Sequence, residues 1–295
     1  MTRSEFGQLI AALRRENIDP VQGKVWTQKR LAQEAGLLER TIGQIEQGAK
    51  TSLEPQMLVQ LANALELTSL ERKALLSAAA EVDLAPQQII NVQPAKVLAG
   101  LLEQARNLRL PAFIYDSYHN VLAANGLILA LGAVPATMLQ SGAASPAGFN
   151  LLRYYFAPES SYREVLAGRW TQFAIRNVQH FRAASLPYRH TARFQRVFQD
   201  LYQYPLFRDF WARTKYAGED IHHRWEGSEF HHPRLGQLSY MITEVVTLTG
   251  EEELFLVTYI PRNSDTVVAF EKLAQEIGVN MHKLMSWPYG KDGSI

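Results

Sequence analysis

Ten arginines fall between residues 151 and 213, with no lysine among them and only four acids, Glu159, Glu164, Asp200 and Asp209. The planar guanidinium suits fixed, two-point recognition of a carboxylate or phosphate, so an arginine-only excess of six charges points to recognition more than to general solubility. Solvated helix faces are the plainer explanation of the same charges. The stretch is also rich in bulky aromatics at helical spacing. Leu166, Trp170, Phe173, Val178 and Phe181 trace one stripe, and Phe194, Val197, Phe198 and Leu201 another. Phe207, Phe210 and Trp211 follow Pro205, a residue suited to the first turn of a helix.

Other reactive combinations are weaker. His222, His223, His231 and His232 come in adjacent pairs, and in extended chain each pair sends one imidazole to each face. Two ligands per face fall short of ordinary zinc coordination, so no metal site is expected, and His232 reads as a turn residue before Pro233. The absence of cysteine excludes disulfides, thiolate nucleophiles and Cys-ligated zinc. Neither G-x-S-x-G, nor a P-loop, nor a dinucleotide glycine fingerprint, nor H-E-x-x-H occurs. No catalytic residue and no cofactor is expected.

The elements that would position these groups begin near the N-terminus. Phe6, Leu9, Ile10 and Leu13 give a first helix, and Thr27 caps a second carrying Leu31, Ala32 and Ala35 that Gly36 ends. Ile42 and Ile45 pin a short third helix. A fourth starts near Pro55 with Leu58, Leu61, Ala62 and Leu65, and a fifth opens on the capping box Thr68-Ser69-Leu70-Glu71. Residues 27 to 48, TQKRLAQEAGLLERTIGQIEQG, thus have the order of a helix-turn-helix, in which small residues let two short helices pack closely and one presents its outer face to a major groove.

Over about residues 6 to 80 the chain resembles the XRE family of Cro and phage-repressor (cI-type) regulators. The resemblance implies that Gln28 contacts phosphate at a helix N-terminus, and that Glu39, Arg40, Thr41 and Gln44 read base edges or neighbouring phosphates. Arginine at position 40 can pair with guanine and glutamine at 44 with adenine. Arg14 and Glu46 match a family pair that links helices 1 and 3. Three features depart from the pattern: Leu38 replaces the usual Ser or Thr cap of helix 3, the connection from Glu16 to Trp26 is long, and residues 1 to 50 carry a net charge of only +2.

Beyond a break from Glu81 to Pro94, the chain turns mixed. Ala112 to Tyr115 and Asn120 to Ala123 read as a hairpin, and residues 137 to 148 as a Gly, Ser and Ala loop. Gly236 to Leu248 and Leu254 to Ile260 read as an antiparallel pair around Thr249-Gly250-Glu251-Glu252. Val268, Leu273 and Ile277 give a last helix behind a Ser264 cap. Residues 94 to 278 resemble the PAS-like ligand-binding domain of MmyB-like regulators, through Pro111-Ala112-Phe113-Ile114, Asn150-Leu151-Leu152-Arg153 with Phe156, Trp170, Phe181-Arg182, Phe207 with Trp211, and His232-Pro233. That resemblance implies a homodimer and a fatty-acid-like or other apolar effector. Its walls would be Trp170, Phe173, Phe181, Phe194, Phe198 and Trp211, with Arg153 and Arg182 as carboxylate anchors; the alternative is that the aromatics fill a core and the arginines make structural ion pairs.

The expected architecture is an all-α five-helix domain at 1 to 80, a linker at 81 to 93, an α+β PAS-like domain at 94 to 280 with helices on one face of an antiparallel sheet, and a tail at 281 to 295. The expected partners are a double-stranded DNA operator, an apolar small molecule and a second copy of the chain, in the cytoplasm with no membrane. A lipid-acting enzyme, or an interaction module using its helix-turn-helix only for assembly, are the competing classes.

Overall fold

The computed structural model describes all residues except 21–22, 84–92, 145–147, 161, 216–227, 249–252 and 288–295. The chain forms two compact units. The first combines Met1–Gln87 with Ala174–Glu219, and the second combines Gln88–Phe173 with Asp220–Ile295. The expected linker lies largely outside the described residues, as do the turn at 249–252 and both His222 and His223.

In the first unit, α1 (Arg3–Glu16), α2 (Gln28–Ala35), α3 (Glu39–Glu46), α4 (Pro55–Ala64) and α5 (Ser69–Asp83) are the five helices expected from sequence. Thr27 accepts a hydrogen bond from the Arg30 amide, and Gly36 ends α2 at φ 64°, a conformation that favours glycine. Phe6, Leu9, Leu31, Ile42, Ile45 and Leu61 share one core. Gly7 lets α1 meet α3: a Cβ there would stand 2.4 Å from the Ile45 carbonyl oxygen. The long α1–α2 connection is a small antiparallel turn, bridged at Ile18 and Val25 and closed by the Trp26 amide donating to Asn17.

The same unit includes a segment that sequence reading assigned to the second domain. The division falls within α11 (Trp170–Ala184), after Phe173; its remainder, α12 (Ala192–Tyr202) and α13 (Pro205–Arg213) pack with the N-terminal helices. Leu186, in a 3-10 turn (Leu186–Tyr188), is wholly buried in their core. Helical periodicity marks an apolar face without saying what covers it, which is why 94–280 read as one continuous domain.

The second unit holds α6 (Pro94–Leu108), β1 (Ala112–Asp116), β2 (Val121–Asn125), α7 (Gly126–Leu131), α8 (Ala136–Ala144), α9 (Leu151–Phe156), α10 (Tyr162–Leu166), β3 (Ser228–His232), β4 (Gly236–Leu248), β5 (Glu253–Pro261), α14 (Ser264–Ile277) and β6 (Met281–Lys283). The sheet runs β3-β4-β5-β1-β2-β6, antiparallel throughout. Leu254 to Val257 are buried consecutively, so both faces are covered rather than the one expected. On one side Ala112, Ile114, Leu254 and Leu256 meet Leu98 and Leu101 of α6; on the other Tyr240 and Tyr259 meet Phe270 of α14 and Leu131 of α7.

Three local expectations give way. Residues 137–148 are not all loop: Ala136–Ala144 is helical, consistent with alanine's helix propensity, and Gly142 packs so tightly that a Cβ would come within 2.9 Å of the Phe149 ring. Residues 281–295 are not simply a tail, because Met281–Lys283 pairs with β2 while Met285 and Trp287 enter the core. The cap of α14 is Asn263, whose side chain accepts from the Thr266 amide, and Val268 points to solvent; Phe270 and Leu273 are the buried residues.

Candidate functional site

On α3 the buried side chains are Ile42 and Ile45, which leaves Glu39 and Arg40 exposed and Thr41 and Gln44 half-buried. Those four residues thus lie off the buried face of α3, as the resemblance requires of residues that would read a groove. Leu38 precedes them without a side-chain capping bond and is 74% exposed. In sequence Leu38 reads as a missing cap, and the structure leaves α3 without one.

Gln28 stands at the first turn of α2, half-buried. Its Nε2 donates to Glu46 Oε2 at 2.8 Å. The same carboxylate receives Arg14 Nε at 2.7 Å and Nη2 at 2.9 Å, so one acid ties α1, α2 and α3 together. The Arg14–Glu46 link is the one the resemblance implied. Gln28 is therefore fixed by an internal bond, which suits a residue that positions the backbone more than one that selects a base.

The candidate ligand residues divide between the two units. Phe181, Phe194, Phe198 and Trp211 cluster with Phe207 in the first. Phe194 stacks on Phe198 at 5.5 Å, and Trp211 meets Phe198 edge-on at 4.9 Å. Arg182 is buried there too. Its guanidinium lies 4.2 Å from the Trp211 ring centroid and its Nη2 is 3.1 Å from a Glu71 oxygen. Arg189 reaches the same Glu71 oxygen, while its Nη1 lies 2.9 Å from Glu16. Burial pushes the Glu71 carboxyl upward, but Arg189 and Arg182 outweigh it and hold the pKa at about 2. Arg182 is thus committed as an internal cation rather than free for a ligand.

Trp170 and Phe173 lie in the second unit with a set of tyrosines that sequence reading passed over. Phe173 meets Tyr155 edge-on at 4.8 Å and Tyr162 at 5.4 Å, and Trp170 meets Phe156 at 5.5 Å. Tyr155 and Tyr162 stack at 5.3 Å, and on the sheet Tyr240 stacks on Tyr259 at 4.8 Å. The available signal was Tyr154-Tyr155, inside a segment already singled out for Arg153 and Phe156. Arg153 is half-buried on α9 and makes no side-chain ion pair or hydrogen bond among the described residues. His231 is exposed and His232 buried, and His232 Nδ1 accepts the Arg234 and Leu235 amides at 3.1 Å as a turn residue would. Among the described residues, no three potential metal ligands come together, and no helix is long and apolar enough to cross a membrane.

A helix-turn-helix family model matches residues 25–72. The model of the MmyB-like transcription regulator ligand binding domain matches residues 95–273, more than half of the chain. No curated protein matches it.

Proposed function

The chain belongs to the family of MmyB-like transcription regulators, and we propose that it is a homodimeric, sequence-specific DNA-binding regulator, working in the cytoplasm, whose sheet domain takes an apolar effector of the fatty-acid type. It is a DNA-binding transcription regulator with a ligand-binding domain. The observation that carries the effector reading is the aromatic cluster of Tyr155, Tyr162, Trp170 and Phe173 in the second unit. An acyl chain gains about 0.8 kcal/mol per buried methylene, and an apolar wall of this kind is where the gain would be made. The effector is held and released unchanged, as befits a signal rather than a substrate.

A second copy of the chain is invoked because one α3 spans too few base pairs to select a genomic site. Two copies on a two-fold operator place their recognition helices roughly 34 Å apart, or a multiple of that. Native mass spectrometry of the purified protein tests both halves. A dimer mass with an acyl compound released intact on denaturation supports the reading. A monomer that carries no ligand, and whose melting no fatty acid shifts, contradicts it.

A further inference from the structure

Tyr155 and Tyr240 are each only 8% exposed, yet neither hydroxyl has a hydrogen-bond partner among the described residues; the same is true of the half-buried Tyr162 and Tyr259. Tyr154 differs, since its hydroxyl donates to the Gly132 carbonyl at the end of α7. That bond ties α9 to the helix whose Ile128 and Leu131 pack with Tyr240 and Tyr259. The helical tyrosines and the sheet tyrosines therefore border one region. Their electrostatics agree: after burial, what most opposes ionisation of Tyr162 is Tyr259, followed by Tyr155, Tyr240 and Tyr154. Repulsion of this kind weakens with distance, so the mutual effect fits groups that share one region.

These hydroxyls have no protein partner to satisfy among the described residues, and at neutral pH all four remain protonated donors, Tyr240 being pushed by burial up to about 12. One exposed cation, Arg169, is near enough to act on Tyr240. Several neutral donors and a nearby guanidinium together match a group with many lone pairs and negative charge.

We infer that Tyr155, Tyr162, Tyr240 and Tyr259, with Arg169, form the headgroup site of the effector and receive a carboxylate. This rests on the reading that the second unit binds an apolar chain, and it moves the polar anchor away from Arg153 and Arg182. The apolar end then lies toward Phe173 and Trp170.

The test compares dodecanoate with 1-dodecanol, which share a chain and differ in headgroup, by calorimetric titration of the full-length protein. The wild type is expected to prefer dodecanoate. Tyr155→Phe and Tyr240→Phe, which remove one oxygen each, are expected to lower dodecanoate affinity about tenfold, the scale of a hydrogen bond to a charged group, and to leave dodecanol unchanged. Arg169→Gln is expected to act in the same direction more weakly, being exposed. Butyrate separates carboxylate recognition from chain burial and is expected not to bind at concentrations that saturate dodecanoate.

Without ligand both phenylalanine variants are expected to melt no lower than wild type, because the hydroxyl they lose has no protein partner. Unchanged dodecanoate affinity in folded variants overturns the headgroup site and leaves the apolar reading standing. Lower melting with equal loss for both probes marks the hydroxyls as structural and also overturns it. Binding of neither probe by the wild type overturns both.

Discussion

Glu71 lies in the first turn of α5, where its carboxylate accepts the Thr68 amide at 3.0 Å and also neutralises Arg182 and Arg189 in the interior. The capping half of this was readable, because Thr68 and Glu71 are three apart. The pairing half was not, since Arg182 is more than a hundred residues away and no local rule links them. Its protonation gives a testable sign. The folded pKa of about 2 lies below the ordinary carboxylate value of 4.5, so the unfolded chain takes up the proton first. The stabilisation is full above about pH 4.5 and drains away as pH falls toward 2. Glu71→Gln is expected to cost roughly 3–5 kcal/mol at pH 7, the scale of a broken buried pair, and clearly less at pH 3. Urea unfolding at both pH values checks this, and an equal cost at both would contradict it. On α3 the two glutamines should differ in kind. Gln44→Ala is expected to relax discrimination at one operator position by about 1–3 kcal/mol. Gln28→Ala, which frees one side of Glu46, is expected to weaken all sequences alike. Anisotropy titrations over a set of single-base operator variants separate the two patterns.

Elements whose signals are local were legible. Thr27 and Gly36 bound α2 as their chemistry dictates, and the residues from Gly236 to Leu248, rich in β-branched and aromatic side chains, form one strand paired with β5. Elements whose reason lies elsewhere in the chain were not. The helix at Ala136–Ala144 hid behind a loop-like composition, and its tolerance for Gly142 comes from the Phe149 ring against it. The helices after Phe173 were recognised as helices, with the right apolar stripes, but their partners were misjudged; Phe181 and Trp170 sit on one helix, α11, and belong to different compact units. The tyrosines were missed because a tyrosine in a strand or helix reads as packing until its hydroxyl is seen without a partner. One element contact lends itself to a direct perturbation. Gly7→Ala would set a methyl 2.4 Å from the Ile45 carbonyl, a backbone atom that cannot rotate away. The expected result is a loss of about 1–3 kcal/mol by denaturant unfolding, with weaker operator binding as α3 is displaced.

At the scale of the whole chain, the match to the ligand-binding family extends over 95–273, while the helical unit that carries α3 takes in Ala174–Glu219. Part of the sequence matched as a ligand-binding domain is therefore structurally part of the DNA-binding unit, and Leu186, Arg182 and Arg189 are its buried ties. A fragment of residues 1–87 lacks all three and leaves Glu71 without its cations. The function proposed for the full chain requires that effector and operator influence each other, and coupling of this kind typically amounts to 1–3 kcal/mol, or about 5- to 150-fold in affinity. The most direct measurement is the affinity of the full-length protein for an operator selected by its own binding from random duplexes, with and without saturating dodecanoate. The expected result is a strong preference for the selected operator over random duplex and a change in that affinity of at least about fivefold when dodecanoate is added. Equal affinity for selected and random DNA, or an operator affinity that dodecanoate leaves unmoved, would contradict it.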